Sequence, residues 1–340
     1  MRVIGIAGWT LALAAVISSP AARSESGLDS TPPAIDYVAD GRAPLAQLER
    51  RFAELDARHG WVVETLHAYP DAPDLQIKAW RTPATGPALW VLAGIHGEEP
   101  AGPNALAREL ETLVEFARSG VPVVIVPLCN PRAYRHNWRY PNTAERDWKE
   151  GGYSVGDAEY LLPDLEKGRA PRAERAPGPE TYALTQFVLR LAERYPPRLV
   201  LDLHEDELST EGGYIYSQGR HADANPVGAE IVRLLQSSGI PLRRSGVTRF
   251  GEPIVDGVIS RDDQGKPIRD GSIDELLAST DVFVANRRVR GPSADTVIVV
   301  ETPAFAGARL DQRVNAHAAV VREIATLWRL NESQRRSSSQ

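Results

Sequence analysis

The sequence contains a single cysteine, Cys129, and no excess of positive charge. One cysteine allows no disulfide within the chain and no cysteine-based metal cage. Lysine and arginine number 39 against 45 aspartate and glutamate, a formal net charge of -6, and no basic run is present. This balance argues against nucleic acid as a partner. Cys129 follows an apolar run, so we expect a small buried residue rather than a nucleophile.

Long apolar runs are also scarce, because the only extended one lies at the very start of the chain. Arg2 precedes an apolar stretch over residues 3–17, and small residues follow at 18–22. This order is typical of a cleaved signal peptide, which we assign to residues 1–22. An uncleaved membrane anchor is the alternative, but a full span needs roughly 20 apolar residues. We therefore expect a periplasmic or secreted protein with no stable membrane insertion after cleavage.

The rest of the chain reads as one domain with short polar ends. Residues 23–42 are polar and turn-rich and predict a flexible leader, and residues 331–340 predict a polar tail. The length between them, 43–330, suits one large domain, and the apolar share of 42% is enough for a substantial core. We find no internal repeat and no linker inside it.

Strand and helix patterns alternate through this domain. Continuous apolar runs, typical of strands buried on both faces, occur at 88–93, 121–126, 198–203 and 296–301. Helical periodicity occurs at 45–58, 101–118, 180–194, 227–237 and 310–327, a hairpin is predicted at 61–80, and turn-rich loops at 129–178 and 245–275. The alternation predicts an α/β fold: a mixed, mostly parallel twisted sheet with helices on both faces.

Residues suited to metal binding follow three of these apolar runs. His96 and Glu99 come just after the first run, His204 after the third, and Glu301 at the end of the fourth. The carboxyl ends of parallel strands meet at one edge of a sheet, where sites form. Catalytic zinc takes imidazole and carboxylate ligands and keeps one position open for water. We predict that His96, Glu99 and His204 bind one Zn²⁺.

A further carboxylate is needed to take a proton from water, and we assign this role to Glu301. Asp202 or Glu205 could hold an imidazole N–H and so orient a ligand. Other interpretations stay open: Glu98 could replace Glu99 as the ligand, and Glu301 could simply accept hydrogen bonds from backbone amides. A bare His-x-x-Glu pattern often marks only a helix start with a solvated histidine.

Four short segments resemble motifs of the zinc carboxypeptidase (funnelin) superfamily. Residues 94–102 (GIHGEEPAG) resemble its first metal motif, and are most similar to the murein-peptide amidase and succinylglutamate desuccinylase/aspartoacylase-like branches. Residues 201–204 (LDLH) resemble the strand of the third ligand, and residues 299–302 (VVET) the strand of the general base. Asn130-Pro131 followed by Arg139 resembles the segment that polarises the scissile carbonyl. The resemblance covers roughly residues 60 to 330.

The resemblance implies a mixed sheet of about eight strands, one zinc ion per chain and hydrolysis of amide bonds by water. Arg139 would stabilise the oxyanion, and Asn130 would contact the substrate. Members of the family often have Asp-Leu-Asn-Arg after that arginine, which grips a terminal carboxylate, whereas residues 147–150 here are DWKE. Lys149 could supply a positive charge, but a lysine does not reproduce an arginine fork. Tyr214 and Tyr216 could line the pocket or pack within a strand.

Three functions fit these residues. The favoured one is an exported metallopeptidase, similar to a carboxypeptidase, that acts on peptides including cell-wall peptides. The alternative is a deacylase of N-acyl amino acids on the same fold and metal. A binding module without catalysis is the third, and it is disfavoured because all predicted ligands and the base are present.

Overall fold

The structure is a computed structural model that describes residues 40–144, 151–165, 168, 170–206, 211–304 and 307–338. These residues belong to one compact unit, which spans residues 34–340. The predicted signal peptide, most of the predicted leader and Lys149 lie outside the described residues. In the part of the chain that is described, no helix is both long and apolar enough to cross a membrane.

A mixed sheet of ten strands forms the centre of the domain. Its strands are β1 (Val62–Tyr69), β2 (Ala72–Arg81), β3 (Ala88–Ala93), β4 (Val123–Val126), β5 (Pro197–Asp206), β6 (Tyr214–Gln218), β7 (Ser245–Val247), β8 (Pro253–Val255), β9 (Val258–Ile259) and β12 (Thr296–Pro303), in the order β1-β2-β4-β3-β5-β12-β6-β9-β8-β7. Two further strands, β10 (Asp281–Val284) and β11 (Arg287–Arg290), form a separate hairpin. Strands β4, β3, β5 and β12 are mutually parallel, and β2 and β6 flank them as antiparallel neighbours.

The helices cover both faces of this sheet, as predicted. They are α1 (Leu45–Phe52), α2 (Glu54–His59), α3 (Ala101–Arg108), α4 (Leu110–Arg118), α5 (Pro131–His136), α6 (Pro179–Ala192), α7 (Pro226–Ser237), α8 (Ile273–Ala278), α9 (Leu310–Arg322) and α10 (Ile324–Ser338). A β-carbon on Gly102 of α3 would lie 2.9 Å from Leu203 Cβ of β5. The ring of Phe187 on α6 lies 6.0 Å from that of Trp90, whose register partner is Val200 of β5. Side chains alternate along a strand, so α3 and α6 lie on opposite faces.

The sheet has ten strands rather than about eight, because the segment predicted as a loop at 245–275 contains β7, β8 and β9. These strands are only two or three residues long, and glycine, proline and polar residues surround them. They therefore lack the apolar run that marked β3, β4, β5 and β12. Every residue of β3 and β4 is buried, which confirms the interpretation of those runs as central strands.

At both predicted domain ends, described residues assigned to the leader or to the tail pack against the domain. Arg42, at the end of the predicted flexible leader, is only 4% exposed. At the other end, α10 continues through Ser338, so most of the predicted polar tail is helical. Asn331 is fully buried there and donates a hydrogen bond from Nδ2 to Arg198 O at 3.1 Å. Polar composition suggested solvent exposure, but each of these side chains has backbone partners in the interior.

Three predicted helices are each divided in two. The breaks lie at Ala53, Glu109 and Glu323. None of these positions is a glycine or proline, so the sequence contains no signal for them. These breaks do not change the arrangement of helices on the two faces of the sheet. The candidate site is positioned by the strands.

Candidate active site

The turn that follows β3 carries two of the predicted ligands. Gly94 adopts φ +64°, which an L-residue with a side chain rarely does, and a β-carbon there would lie 2.9 Å from Leu128. Gly97 packs against the backbone of α5 so closely that a β-carbon would lie 2.0 Å from the carbonyl carbon of Ala133. The two glycines therefore let the chain reverse tightly before α3 begins, and this presents His96 and Glu99 at the edge of the sheet.

His96, Glu99 and His204 converge, as the sequence predicted. Nδ1 of His96 lies 2.7 Å from Glu99 Oε1, and Nδ1 of His204 lies 2.9 Å from Glu99 Oε2. One potential ligand atom from each residue lies within 4.8 Å of the others. In both histidines, it is Nδ1 that faces the Glu99 carboxylate. This donor set fits Zn²⁺ with three protein ligands and room for water.

Burial and neighbouring charges shift the pKa values of His96, Glu99 and His204. Burial, followed by the charge of Arg139, lowers the pKa of His96 to about 4. Burial also opposes charge on His204, but Asp202 and Glu99 raise its pKa well above the ordinary value. Burial would raise the pKa of Glu99, yet the two histidines hold it well below the ordinary value. The Glu99 carboxylate therefore stays ionised and the His96 imidazole stays neutral, as metal binding requires, whereas His204 would have to release its proton when a metal binds.

Asp202 and Glu205 were alternative partners for an imidazole, and the structure distinguishes them. Asp202 Oδ2 lies 3.2 Å from His204 Nε2 and is fully buried, so it can hold the ring with Nδ1 facing the other ligands. Glu205 instead accepts hydrogen bonds from the backbone N–H of Ala101 and from Arg313 Nε, each at 2.5 Å. Its own backbone N–H donates to Glu99 Oε2 at 3.2 Å. Glu205 therefore fixes the start of α3 and orients Glu99.

Glu301 lies beside the ligand cluster. It is the register partner of His204 on the neighbouring parallel strand, so both side chains point to the same face of the sheet. β5 and β12 continue past these residues, so His204 lies within its strand rather than just after it, and Glu301 lies within its strand rather than at its end. Burial raises the pKa of Glu301 to about 8, although His204 opposes the shift. This carboxyl group can therefore hold or release a proton near neutral pH.

Arg139 reaches the cluster from the loop after α5. Its Nη1 donates to Glu98 Oε1 at 2.9 Å and to Glu99 Oε1 at 3.1 Å. Burial and the neighbouring charge of Glu99 raise the pKa of Glu98 to about 7. Glu98, the predicted competitor of Glu99, thus pairs with Arg139 while Glu99 lies between the histidines. The guanidinium group also lines the cavity next to the predicted metal position.

The predicted substrate-binding residues have different placements. Asn130 is fully buried and is not among the residues that line the cavity. Its side chain caps α5 by accepting from Ala133 N at 3.1 Å, and it donates to Ile95 O at 3.3 Å. Asn130 therefore supports the turn of His96 and Glu99 from behind. Tyr214 and Tyr216 do line the cavity, and Lys149 lies outside the described residues.

The two tyrosines form part of an acidic wall. Tyr214 donates from its hydroxyl to Asp206 Oδ2 at 2.6 Å, and Tyr216 donates to Glu252 Oε2 at 2.9 Å. Burial, together with nearby carboxylates, raises the pKa of both hydroxyl groups, so they remain donors. Both residues lie on β6 two positions apart, which places them on the same face.

A cavity of about 590 Å³ opens above the cluster. Sequence reasoning missed several of its lining residues: Tyr140, Tyr153, Asp157, Arg249, Phe250, Glu252 and Asp270. They come from segments recognised only as turn-rich loops, in which composition does not single out individual side chains. Among the described lining residues, carboxylates outnumber the three arginines, which are Arg139, Arg249 and Arg269.

Searches of known proteins show what this architecture resembles. No protein-family model matches the sequence, and no curated protein does. Among solved structures, a protein from Shewanella baltica classed as a metallopeptidase is 22% identical, with a TM-score of 0.61 over 83% of this chain and 91% of that one. One from Shewanella amazonensis, also classed as a metallopeptidase, is 22% identical, with a TM-score of 0.61 over 82% and 91%. Carboxypeptidase A from Helicoverpa armigera is 14% identical, with a TM-score of 0.55 over 86% and 74%.

At these identities the likeness concerns the fold. This chain has the α/β fold of metallopeptidases and carboxypeptidases, with a His–Glu–His cluster at the carboxyl edge of its parallel strands. The resemblance to the zinc carboxypeptidase superfamily expected from the sequence is therefore confirmed at the level of the fold.

Proposed function

We propose that this protein is an exported zinc-dependent hydrolase that cleaves amide bonds of peptides. The observation that carries the proposal is the convergence of His96, Glu99 and His204 next to Glu301, at the floor of a cavity of about 590 Å³. Pockets of this size hold small-molecule or short peptide ligands. Export rests on the apolar N-terminus followed by small residues.

The proposed metal is Zn²⁺, one per chain, held by Nδ1 of both histidines and by the Glu99 carboxylate. When bound, zinc supplies Lewis-acid polarisation of the substrate carbonyl and acidifies water. Asp202 holds His204 in the orientation required for this contact. The backbone N–H of Glu205 does the same for Glu99.

Glu301 is the proposed general base and acid. It takes a proton from the attacking water and later gives it to the leaving amine. Burial raises the pKa of Glu301 to about 8, and a bound cation would lower this value. Such a group can both accept and return a proton near neutral pH.

Arg139 is the proposed oxyanion donor. Its guanidinium group lies within hydrogen-bond distance of the ligand Glu99 and lines the same cavity. Donors of this kind contribute on the order of 3 kcal/mol to stabilisation of the transition state. Tyr214 and Tyr216 are proposed to contact the substrate on the β6 side.

A peptide substrate is favoured over an N-acyl amino acid by the charge of the cavity. A small N-acyl amino acid is anionic, so its recognition calls for several cations in the pocket. Among the described lining residues carboxylates predominate, and Nη1 of Arg139 is already paired with Glu98 and Glu99. Whether a free terminal carboxylate is recognised depends also on Lys149, which remains a proposed contact.

The test measures zinc content and then activity on a mixed panel. The purified mature protein is assayed for metal and then given peptides, murein fragments and N-acyl amino acids, with Glu301→Gln alongside. About one zinc per chain and peptide cleavage that disappears in the variant would support the proposal. Cleavage of N-acyl amino acids alone would indicate the deacylase. A protein that binds no zinc, or activity indifferent to Glu301, would refute it.

A further inference from the structure

A buried arginine from the segment before α1 lies behind the candidate metal-binding turn. Arg42 is 4% exposed, and its Nη1 lies 3.1 Å from Gly97 O and 2.9 Å from Tyr134 O. Its Nη2 donates to Asn137 Oδ1 at 2.6 Å. The guanidinium group thus binds two backbone carbonyl groups and one amide oxygen in the interior.

These contacts bridge the two segments that carry the candidate chemical groups. Gly97 lies inside the turn of the proposed ligands His96 and Glu99, and Asn137 lies two residues before Arg139. The two segments also touch directly, since Gly97 N donates to Arg139 O at 3.4 Å. Because that bond is long, Arg42 provides the shorter hydrogen bonds across this junction.

The position of the guanidinium group is itself fixed. Asp40 accepts from Arg42 Nε at 2.5 Å and from the Arg42 backbone N–H at 2.9 Å. The guanidinium carbon lies 5.0 Å from the centroid of the Tyr134 ring, and the Tyr134 hydroxyl donates to Ala43 O at 2.8 Å. A planar guanidinium group donates in several fixed directions at once, which a lysine ammonium group cannot match.

We propose that Arg42 is a positioning residue that sets the metal-binding turn against the loop of Arg139. This inference rests on the proposed function, because it assigns Arg42 to that same site. Without Arg42 the buried carbonyl of Gly97 would lose a charged donor, and an unsatisfied buried carbonyl is costly. The turn would shift to regain a partner, and His96 and Glu99 would move with it.

The experiment compares Arg42→Ala with Arg51→Ala in the full mature protein. Arg51 is a matched control because it also ties the N-terminal region to α3, donating from Nε to Ala107 O at 3.0 Å, but does not contact the metal-binding turn. For each variant we would measure zinc affinity by competition with a chelator, the visible spectrum of the Co²⁺-substituted protein, and kcat and KM separately.

We expect Arg42→Ala to weaken zinc binding by about 10- to 100-fold, the usual cost of losing a contact that orients metal ligands. The Co²⁺ spectrum should change and kcat should fall more than KM rises. Arg51→Ala should leave zinc affinity and spectrum as in the unsubstituted protein. If both variants behave alike in affinity and spectrum, the inference is wrong.

Arg42→Lys keeps the charge beside Asp40 but cannot donate to both carbonyl groups and Asn137, so it should show an intermediate zinc affinity. If the alanine variant does not fold, the lysine variant decides: unchanged affinity and spectrum would overturn the inference. Failure of the proposed function is a separate result, because the unsubstituted protein itself would then bind no zinc.

Discussion

Glu301 and His204 are register partners on β12 and β5, two central parallel strands. The proposed base and a proposed ligand are therefore held at adjacent positions by a ladder of backbone hydrogen bonds rather than by a loop. Five consecutive residues of β12 before Glu301, from Thr296 to Val300, are buried, so packing on both faces fixes the strand. Precise placement of a catalytic group relative to a metal is what such a rigid scaffold provides.

Replacement of Glu301 by glutamine should remove activity while leaving the metal in place. Loss of a general base typically costs about 10²- to 10⁴-fold in rate. The variant should still bind about one zinc per chain, because the proposed ligands are unchanged. Steady-state kinetics and metal analysis check this. Glu230→Gln, at a partly exposed glutamate on α7 that pairs with Arg233, serves as a control and should retain full activity.

The stability of the metal-free protein should depend on Glu301 between pH 4.5 and about 8. In this window the folded state, with a raised pKa of about 8, binds a proton that the unfolded state, near 4.5, has released. The free energy of unfolding should therefore fall as pH rises through the window. Thermal unfolding in chelator across this range should show a flatter profile for Glu301→Gln than for the unsubstituted protein. Identical slopes would contradict the raised pKa.

Replacement of Asp202 by asparagine should weaken zinc binding without unfolding the domain. The amide keeps the size of the side chain but removes the charge that faces His204 Nε2. Loss of such a partner usually lowers metal affinity or activity about 10- to 100-fold. Chelator competition measures the affinity, and circular dichroism confirms the fold. An affinity equal to that of the unsubstituted protein would show that Asp202 does not orient the ligand.

Gly97→Ala should destabilise the protein and its metal site together. The new methyl group would lie 2.0 Å from the Ala133 carbonyl carbon, so the turn and α5 must separate. Overpacking of this kind costs about 1–3 kcal/mol. Gly228→Ala on α7 is the matched control, since its nearest neighbour is the end of the flexible Ile215 side chain at 3.1 Å. Urea unfolding and zinc content should show a clear loss for the first variant and little change for the second.

The central strands and the ligand cluster could be predicted from the sequence because both rest on strong local patterns. The strands β3 and β4 consist of apolar residues alone, β5 and β12 are mostly apolar before His204 and Glu301, and each chemical residue lies at or near the end of such a run. The topology of parallel strands then brings these ends together. In the structure this convergence places Nδ1 of His204 2.9 Å from Glu99 Oε2.

The rest of the site could not be predicted, because its placement depends on contacts far apart in sequence. Arg42 looked like part of a polar leader, yet its partners lie 55 and 92 residues away. Phe250 and Glu252 lie in a short turn between β7 and β8, where no apolar periodicity identifies a strand. Asn130 looked like a substrate contact from its motif, but its side chain caps α5 and is buried.

The change of strand direction between β12 and β6 separates two groups of proposed site residues. The proposed metal ligands and base lie in the turn after β3 and on β5 and β12, all parallel strands, whereas Tyr214 and Tyr216 lie on β6 and Glu252 lies in the turn between β7 and β8. Under the proposed function, metal chemistry and substrate contacts would thus come from different stretches of chain, with residues 214–259 inserted between His204 and Glu301. During evolution, substrate selectivity can therefore diversify on the β6 side of the sheet. The proposed metal ligands and base, which are under tighter geometric constraint, would be preserved.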